Sequence, residues 1–201
     1  MSRWIEAAQG VPEEDSAAVT HVLEPSGPSR PQRGVELTRR GGELGRFEDT
    51  STVQLWVLGT HSNAGEQTIS DLLPASAPAA HQWPVRADYA EPARVLLVCR
   101  TSHKGLKSAQ RAAVEFVSGT LPTVRVVGLV RVADAPGRLP KELRDLSKIV
   151  AGGFPEVWDV PWIEDYRLGV DHPALPREAA TTMQTISDHL ALNTHKKEEH
   201  S

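Results

Sequence analysis

The sequence predicts an α/β fold, a mostly parallel sheet of four to five strands with helices on both faces. Three observations carry that expectation. Short runs of aliphatic and β-branched residues recur at 53–58, 94–99, 124–130 and 156–160. They are continuous rather than alternating, as strands covered on both faces are. Between them lie segments with apolar residues three and four apart, and strand–helix–strand repetition is the βαβ signal.

Taken in order, residues 1–51 read as a disordered N-terminal arm. They are rich in Pro, Gly, Ser, Glu and Arg, as in Glu24-Pro-Ser-Gly-Pro-Ser-Arg-Pro-Gln-Arg-Gly34. Such a stretch buries too little apolar surface to offset the entropy of ordering. The domain itself is expected over 52–175, with a C-terminal helix and tail over 176–201. The 53–58 run ends at Gly59, and a helix is expected soon after Gly65, with Ile69, Leu72 and Leu73 on one face. The connection 73–92 is rich in Ala and Pro and too long for an ordinary loop. It reads either as a mobile cover or as irregular filler, with Trp83 packed on the core. The second strand leads into a helix over 104–117, striped by Leu106, Ala109, Ala113, Phe116 and Val117. The third leads into Leu139, Leu143, Leu146 and Val150, stopped by Gly152-Gly153. A last helix is expected over 177–192 on the spacing of Met183, Ile186 and Leu190.

Composition narrows the function classes. A net charge of −4 gives no bulk attraction for nucleic acid or anionic membrane, so neither is expected as a partner. No apolar run reaches the ~18 residues of a membrane span. The single cysteine, Cys99, lies in an apolar strand and excludes an internal disulfide framework. With no secretory leader read at the start, a reducing cytoplasm is expected. No Cys/His spacing for zinc and no Gly-x-Ser-x-Gly elbow is present.

The chemistry, if any, is expected at the loop after the first strand. Strand, glycine-bounded loop, helix is the layout of a phosphate-binding loop. The usual pattern has Gly, four residues, then Gly-Lys-Ser/Thr. Here Gly59 to Gly65 is one residue too long, and Glu66 follows where Lys is required. A carboxylate at about 4 Å from a phosphate repels it by on the order of 4 kcal/mol at an effective dielectric near 20. Two placements of Glu66 follow. Either it fills the loop's own anion position, or it turns away and favours the helix start by a few tenths to about 1 kcal/mol. Arg100, Lys104 and Lys107 lie beyond the second strand's carboxyl end, where parallel α/β sheets bind ligands, with His61 and His103 at the same edge.

Four stretches taken together resemble a known set. They are Leu58-Gly-Thr-His-Ser-Asn-Ala-Gly-Glu-Gln-Thr68, then Val95-Leu-Leu-Val-Cys-Arg-Thr101 with Gly105-Leu106. Gly128-Leu-Val-Arg-Val-Ala-Asp-Ala-Pro-Gly-Arg-Leu-Pro140 and Val157-Trp-Asp-Val-Pro-Trp162 complete the series. Over roughly 52–170 it resembles an uncharacterised actinobacterial family of P-loop-like proteins, itself similar to the ParA/MinD deviant-Walker ATPases. The resemblance implies a reduced, three-layer P-loop NTPase-like fold. It sets His61 at the signature Lys, Ser62 and Asn63 at the glycine pair, Ala64 at the free position and Gly65 at the invariant glycine. Glu66 then replaces the Walker Lys, Gln67 the magnesium-binding hydroxyl residue, and Thr68 the second hydroxyl. No Asp-ended strand supplies a Walker B carboxylate.

The candidate anion site is therefore Gly59, His61, Ser62, Asn63, Ala64, Gly65, Glu66, Gln67, Thr68 and Arg100, with no catalytic residue and no metal ligand assigned. The expected function is a degenerate ParA/MinD-like module that does not hydrolyse nucleotide and acts on a protein partner. The resemblance suggests mobile elements, partition or secretion as its setting. No cofactor is assigned, and ATP with Mg²⁺ is the cofactor of the alternative, an NTPase with an unorthodox loop. A second alternative is an adaptor whose arm carries the contact.

Overall fold

The computed structural model describes residues 27–32, 34, 43–88 and 91–198, with side chains to residue 191. Five strands form one sheet in which every neighbouring pair is parallel. They are β2 (Leu55–Gly59), β3 (Ser76–Pro78), β5 (Ala93–Arg100), β6 (Val124–Val132) and β7 (Val157–Val160), in the order β3-β2-β5-β6-β7. Successive residues of a strand point to opposite faces, so each apolar run supplies two cores at once. Val95, Leu97 and Cys99 join Leu106, Ala109 and Phe116 of α2 (His103–Val117), with Val150 of α3 (Lys141–Ala151), on one face. Leu96 and Val98 join Ile69 of α1 (Glu66–Leu72) and Met183 and Ile186 of α5 (Arg177–Glu198) on the other. The result is the expected three-layer α/β arrangement, with helices covering both sides.

Local chemistry sets the element ends. The Ser102 hydroxyl accepts from the Gly105 N–H at 3.2 Å and starts α2, replacing one of the bonds a first helical turn lacks. The β5–β6 register shifts between Val95 and Leu96, and Leu96 then pairs with Gly128. A Cβ at Gly128 would lie 2.5 Å from the Trp158 ring, so glycine is needed for β7 to pack there.

Two parts of the chain differ from expectation. The connection 73–92 is neither a cover nor filler. It contributes β3, which pairs with β2 at the sheet edge, and β4 (Gln82–Val85), with Trp83 fully buried as expected. The segment assigned to the arm holds β1 (Gly45–Glu48), which pairs with β4 in a second, two-stranded parallel sheet. The expected boundary at 52 thus falls beyond a strand. Residue 49 explains why that segment orders. The Asp49 carboxylate accepts from the Ser51 N–H and hydroxyl, the Trp56 indole at 2.9 Å and the Arg86 Nε at 2.8 Å. Polar pairing holds it together with Phe47, which packs on the core and edge-on against Trp56. Residues 1–26, 33 and 35–42 of the expected arm lie outside the described residues.

The sheet order positions the site. From β2 the chain leaves through α1 toward β3. From β5 it leaves through α2 toward β6, on the other side. The carboxyl ends of β2 and β5 therefore diverge, and such a switch point opens a crevice in parallel α/β sheets.

Candidate functional site

The loop between β2 and α1 is fixed from three directions. Asn63 (φ 61°) and Gly65 (φ 99°) are left-handed, a conformation glycine adopts freely and most side chains resist. The Ser108 hydroxyl of α2 donates to the Thr60 carbonyl. His61 completes the tie. Its Nδ1 lies 2.8 Å from the Ser62 carbonyl, which can only accept, so Nδ1 carries the hydrogen and Nε2 the lone pair. That lone pair accepts the Arg100 N–H at 3.1 Å, joining the loop to the end of β5. Burial, followed by the nearby Lys104, His81 and Arg100 charges, holds the imidazole below its ordinary value of 6.5, against the opposing hydrogen bond to Ser62. His61 is a neutral staple.

Arg100 is the cation on the loop side of the site. Its Nε donates to the Asn63 carbonyl at 3.3 Å and its NH1 to the Ala133 carbonyl at 2.9 Å. Among the described residues no carboxylate forms an ion pair with it.

Glu66 takes neither of its two expected courses: its carboxylate is bonded to His81, not to the N–H groups of the loop or of the helix start. It is 6% exposed, and its carboxylate folds back beneath the loop rather than into the crevice. Oε2 lies 2.8 Å from His81 Nδ1, and Oε1 accepts the His81 N–H at 3.4 Å. The same Nδ1 lies 2.9 Å from the Gly59 carbonyl. A Cβ on residue 59 would meet Glu66 Oε2 at 2.8 Å and His81 Nδ1 at 2.9 Å. Gly59 is thus glycine because a carboxylate and an imidazole rest on it. The α1 N-cap is Gly65, with no side-chain cap bond, and Glu66 is the acidic residue of the first turn.

A cleft of about 540 Å³ opens at the carboxyl ends of the strands, toward the α5 side. Of the ten candidate residues it gathers His61, Ser62, Asn63, Gly65, Thr68 and Arg100. Gly59, Ala64, Glu66 and Gln67 do not line it. Ala64 is buried, and Gln67 faces outward with its Nε2 donating to Asp71 at 2.7 Å. The opposite wall is apolar: Leu72 of α1, Val160 to Ile163 after β7, and Leu175, Ala179 and Met183. Tyr166 of α4 (Glu164–Arg167) closes one end, its phenol raised by burial and by the Asp71 charge. The helical spacing of Met183 was legible, but not which face of the sheet its helix would cover. Nothing in the sequence marked His81 as the partner of Glu66.

A family model matches residues 53–186, two thirds of the chain. The chain belongs to the DUF6668 family. That is a family of unknown function, and its match spans both cores and the cleft. No curated protein and no solved structure matched.

The loop of this DUF6668 chain departs from the phosphate-loop pattern in three ways. No lysine follows Gly65, the carboxylate in its place turns under the loop, and Gln67 is engaged away from the cleft. Among the described residues, no three His, Cys, Asp or Glu gather to hold a metal ion. No described helix is long and apolar enough to cross a membrane.

Proposed function

We propose that the chain is a degenerate ParA/MinD-like P-loop protein, acting in the cytoplasm as a non-hydrolysing interaction or regulatory module for a protein partner. Mobile elements, partition or secretion are the settings the sequence resemblance suggests. The observation that carries this reading is the Glu66 carboxylate, buried against Gly59 and His81. A phosphate-binding loop has to expose backbone N–H groups and a cation to a polyanion. Here the residue that would supply the cation is an anion, already committed to an internal bond. Drawing it out would break that bond and leave the His81 backbone N–H without its acceptor, a loss of about 1–3 kcal/mol before any phosphate contact forms.

A second reading, a nucleotide-binding NTPase, is favoured by one observation. Arg100, Thr68 and His61 line the same cleft, so a cation is at hand for a phosphate there. Calorimetric titration with ATP, GTP and ADP in the presence of Mg²⁺, alongside phosphate release, separates the two. The expected result is no saturable heat at micromolar nucleotide and no turnover. Micromolar affinity that disappears in Arg100→Ala, or turnover abolished in Glu66→Ala, overturns the non-hydrolysing reading.

A further inference from the structure

The cleft has a composition that a phosphate loop does not need. One wall is polar, built from the 61–65 loop and Arg100. The other is a continuous apolar surface, in which Leu72, Ile163 and Leu175 remain only half-buried. Half-buried aliphatic side chains converging on one concavity lose stability to water unless something covers them. The volume, about 540 Å³, falls within the range of roughly 300–1,000 Å³ that holds small ligands. Its charge is small. Two arginines and one aspartate, Arg100, Arg167 and Asp134, leave the walls with one net positive charge, His61 being neutral. The Arg100 guanidinium keeps N–H groups beyond the two it donates to Asn63 and Ala133. Arg167 is engaged differently, lying 5.8 Å above the Trp162 ring.

We propose that this cleft binds a small amphipathic monoanion, a carboxylate on an aromatic or branched aliphatic body. The carboxylate accepts from the free donors of Arg100, and the body lies against Leu72, Ile163 and Met183. A triphosphate would bring several negative charges to a wall carrying one net positive charge. A neutral apolar molecule would leave the guanidinium facing an apolar group, losing its solvation without a partner. The inference does not require the chain to be inactive on nucleotides.

The test uses the full chain and the dye 1-anilinonaphthalene-8-sulfonate, displaced by 2-naphthoate or by the uncharged 2-naphthalenemethanol. Displacement by naphthoate at one equivalent, about tenfold or more tighter than by the alcohol, is expected from a charge-assisted hydrogen bond. Arg100→Met should remove that preference and Arg100→Lys should retain part of it. Met183→Trp should weaken both ligands by filling the apolar wall. Circular dichroism of each variant shows whether the fold persists. Equal binding of acid and alcohol, a preference that survives Arg100→Met in the folded variant, or no saturable binding overturns the proposal. If the chain releases phosphate from ATP with Mg²⁺ while naphthoate behaves as expected, the non-hydrolysing reading fails and the monoanion site stands.

Discussion

Glu66 Oε2 lies 2.8 Å from His81 Nδ1, across a turn in which both Ala80 (φ 51°) and His81 (φ 59°) are left-handed. Each such non-glycine residue costs on the order of 1–2 kcal/mol, so the surrounding contacts must hold the turn in place. The carboxylate accepts both the ring and the backbone N–H of His81, and it is the one described group that grips that turn from α1.

Restoring a lysine at this position should therefore not restore a nucleotide site. Glu66→Lys places an ammonium, which only donates, against the His81 N–H groups. Its expected cost is about 2–4 kcal/mol, from an unsatisfied buried pair and a desolvated charge. Glu66→Gln keeps an acceptor and should cost about 1 kcal/mol. Urea denaturation checks both, and a Lys variant as stable as the parent would show that Glu66 does not brace the turn.

Stability should fall on mild acidification. His61 is held below 6.5 by burial and neighbouring cations, and His189 by burial with Arg94 and Arg125. A lowered histidine pKa means the folded chain binds the proton less readily than the unfolded one. The contribution is therefore fully present above pH 6.5 and is lost as the pH falls through the folded values. Protonating His61 also removes the lone pair that accepts the Arg100 N–H. His61→Gln should flatten the curve of urea midpoint against pH below 6.5, and an unchanged slope would mean that the imidazole titrates freely.

Truncation locates the true start of the domain. Burial acts to raise the Asp49 pKa, but hydrogen bonds from Ser51, Trp56 and Arg86 outweigh it and hold the group at about 2. Relative to its ordinary 3.8, that depression corresponds to about 2 kcal/mol, present above pH 3.8 and lost as the pH falls through 2. A chain beginning at residue 52 loses this carboxylate and all of β1, leaving Arg86 half-buried without its ion pair. It should melt well below a chain beginning at residue 43, and scanning calorimetry compares them. Equal melting temperatures would place the boundary at 52 after all.

The sheet was legible because apolar runs such as 94–99 and 124–130 are long enough to reveal strands buried on both faces. All four expected strands form, within two residues at each end. The strands that escaped notice lack that signal. β3 is Ser-Ala-Pro at an edge, and β1 is Gly-Arg-Phe-Glu, with Phe47 its single apolar residue. Their order comes from pairing with distant segments, which local composition does not record. The candidate site was half legible. Glycine spacing located the loop, and strand ends located Arg100. Whether a side chain such as Glu66 points into the crevice or under the loop depends on His81, 15 residues away in a stretch without periodicity.

Gly105 offers a contest between two opposing effects. It lies in the first turn of α2, and replacing glycine by alanine inside a helix ordinarily gains about 1 kcal/mol. Here a Cβ would stand 2.3 Å from the Arg100 carbonyl oxygen and 2.9 Å from His61 Nε2. The end of β5 cannot yield cheaply, because Arg100 is paired with Val132 of β6 and its N–H is bonded to His61. Overpacking of this kind costs typically 1–3 kcal/mol or more, so the clash should win. Gly105→Ala is expected to destabilise the chain by about 1–2 kcal/mol net, to move His61 off the Arg100 N–H and to loosen the cleft wall. Urea denaturation reads the first effect, and the amide resonance of Arg100 reads the second. A more stable variant with that resonance unmoved would mean that α2 can slide away from the strand ends, and that the cleft is not held by this contact.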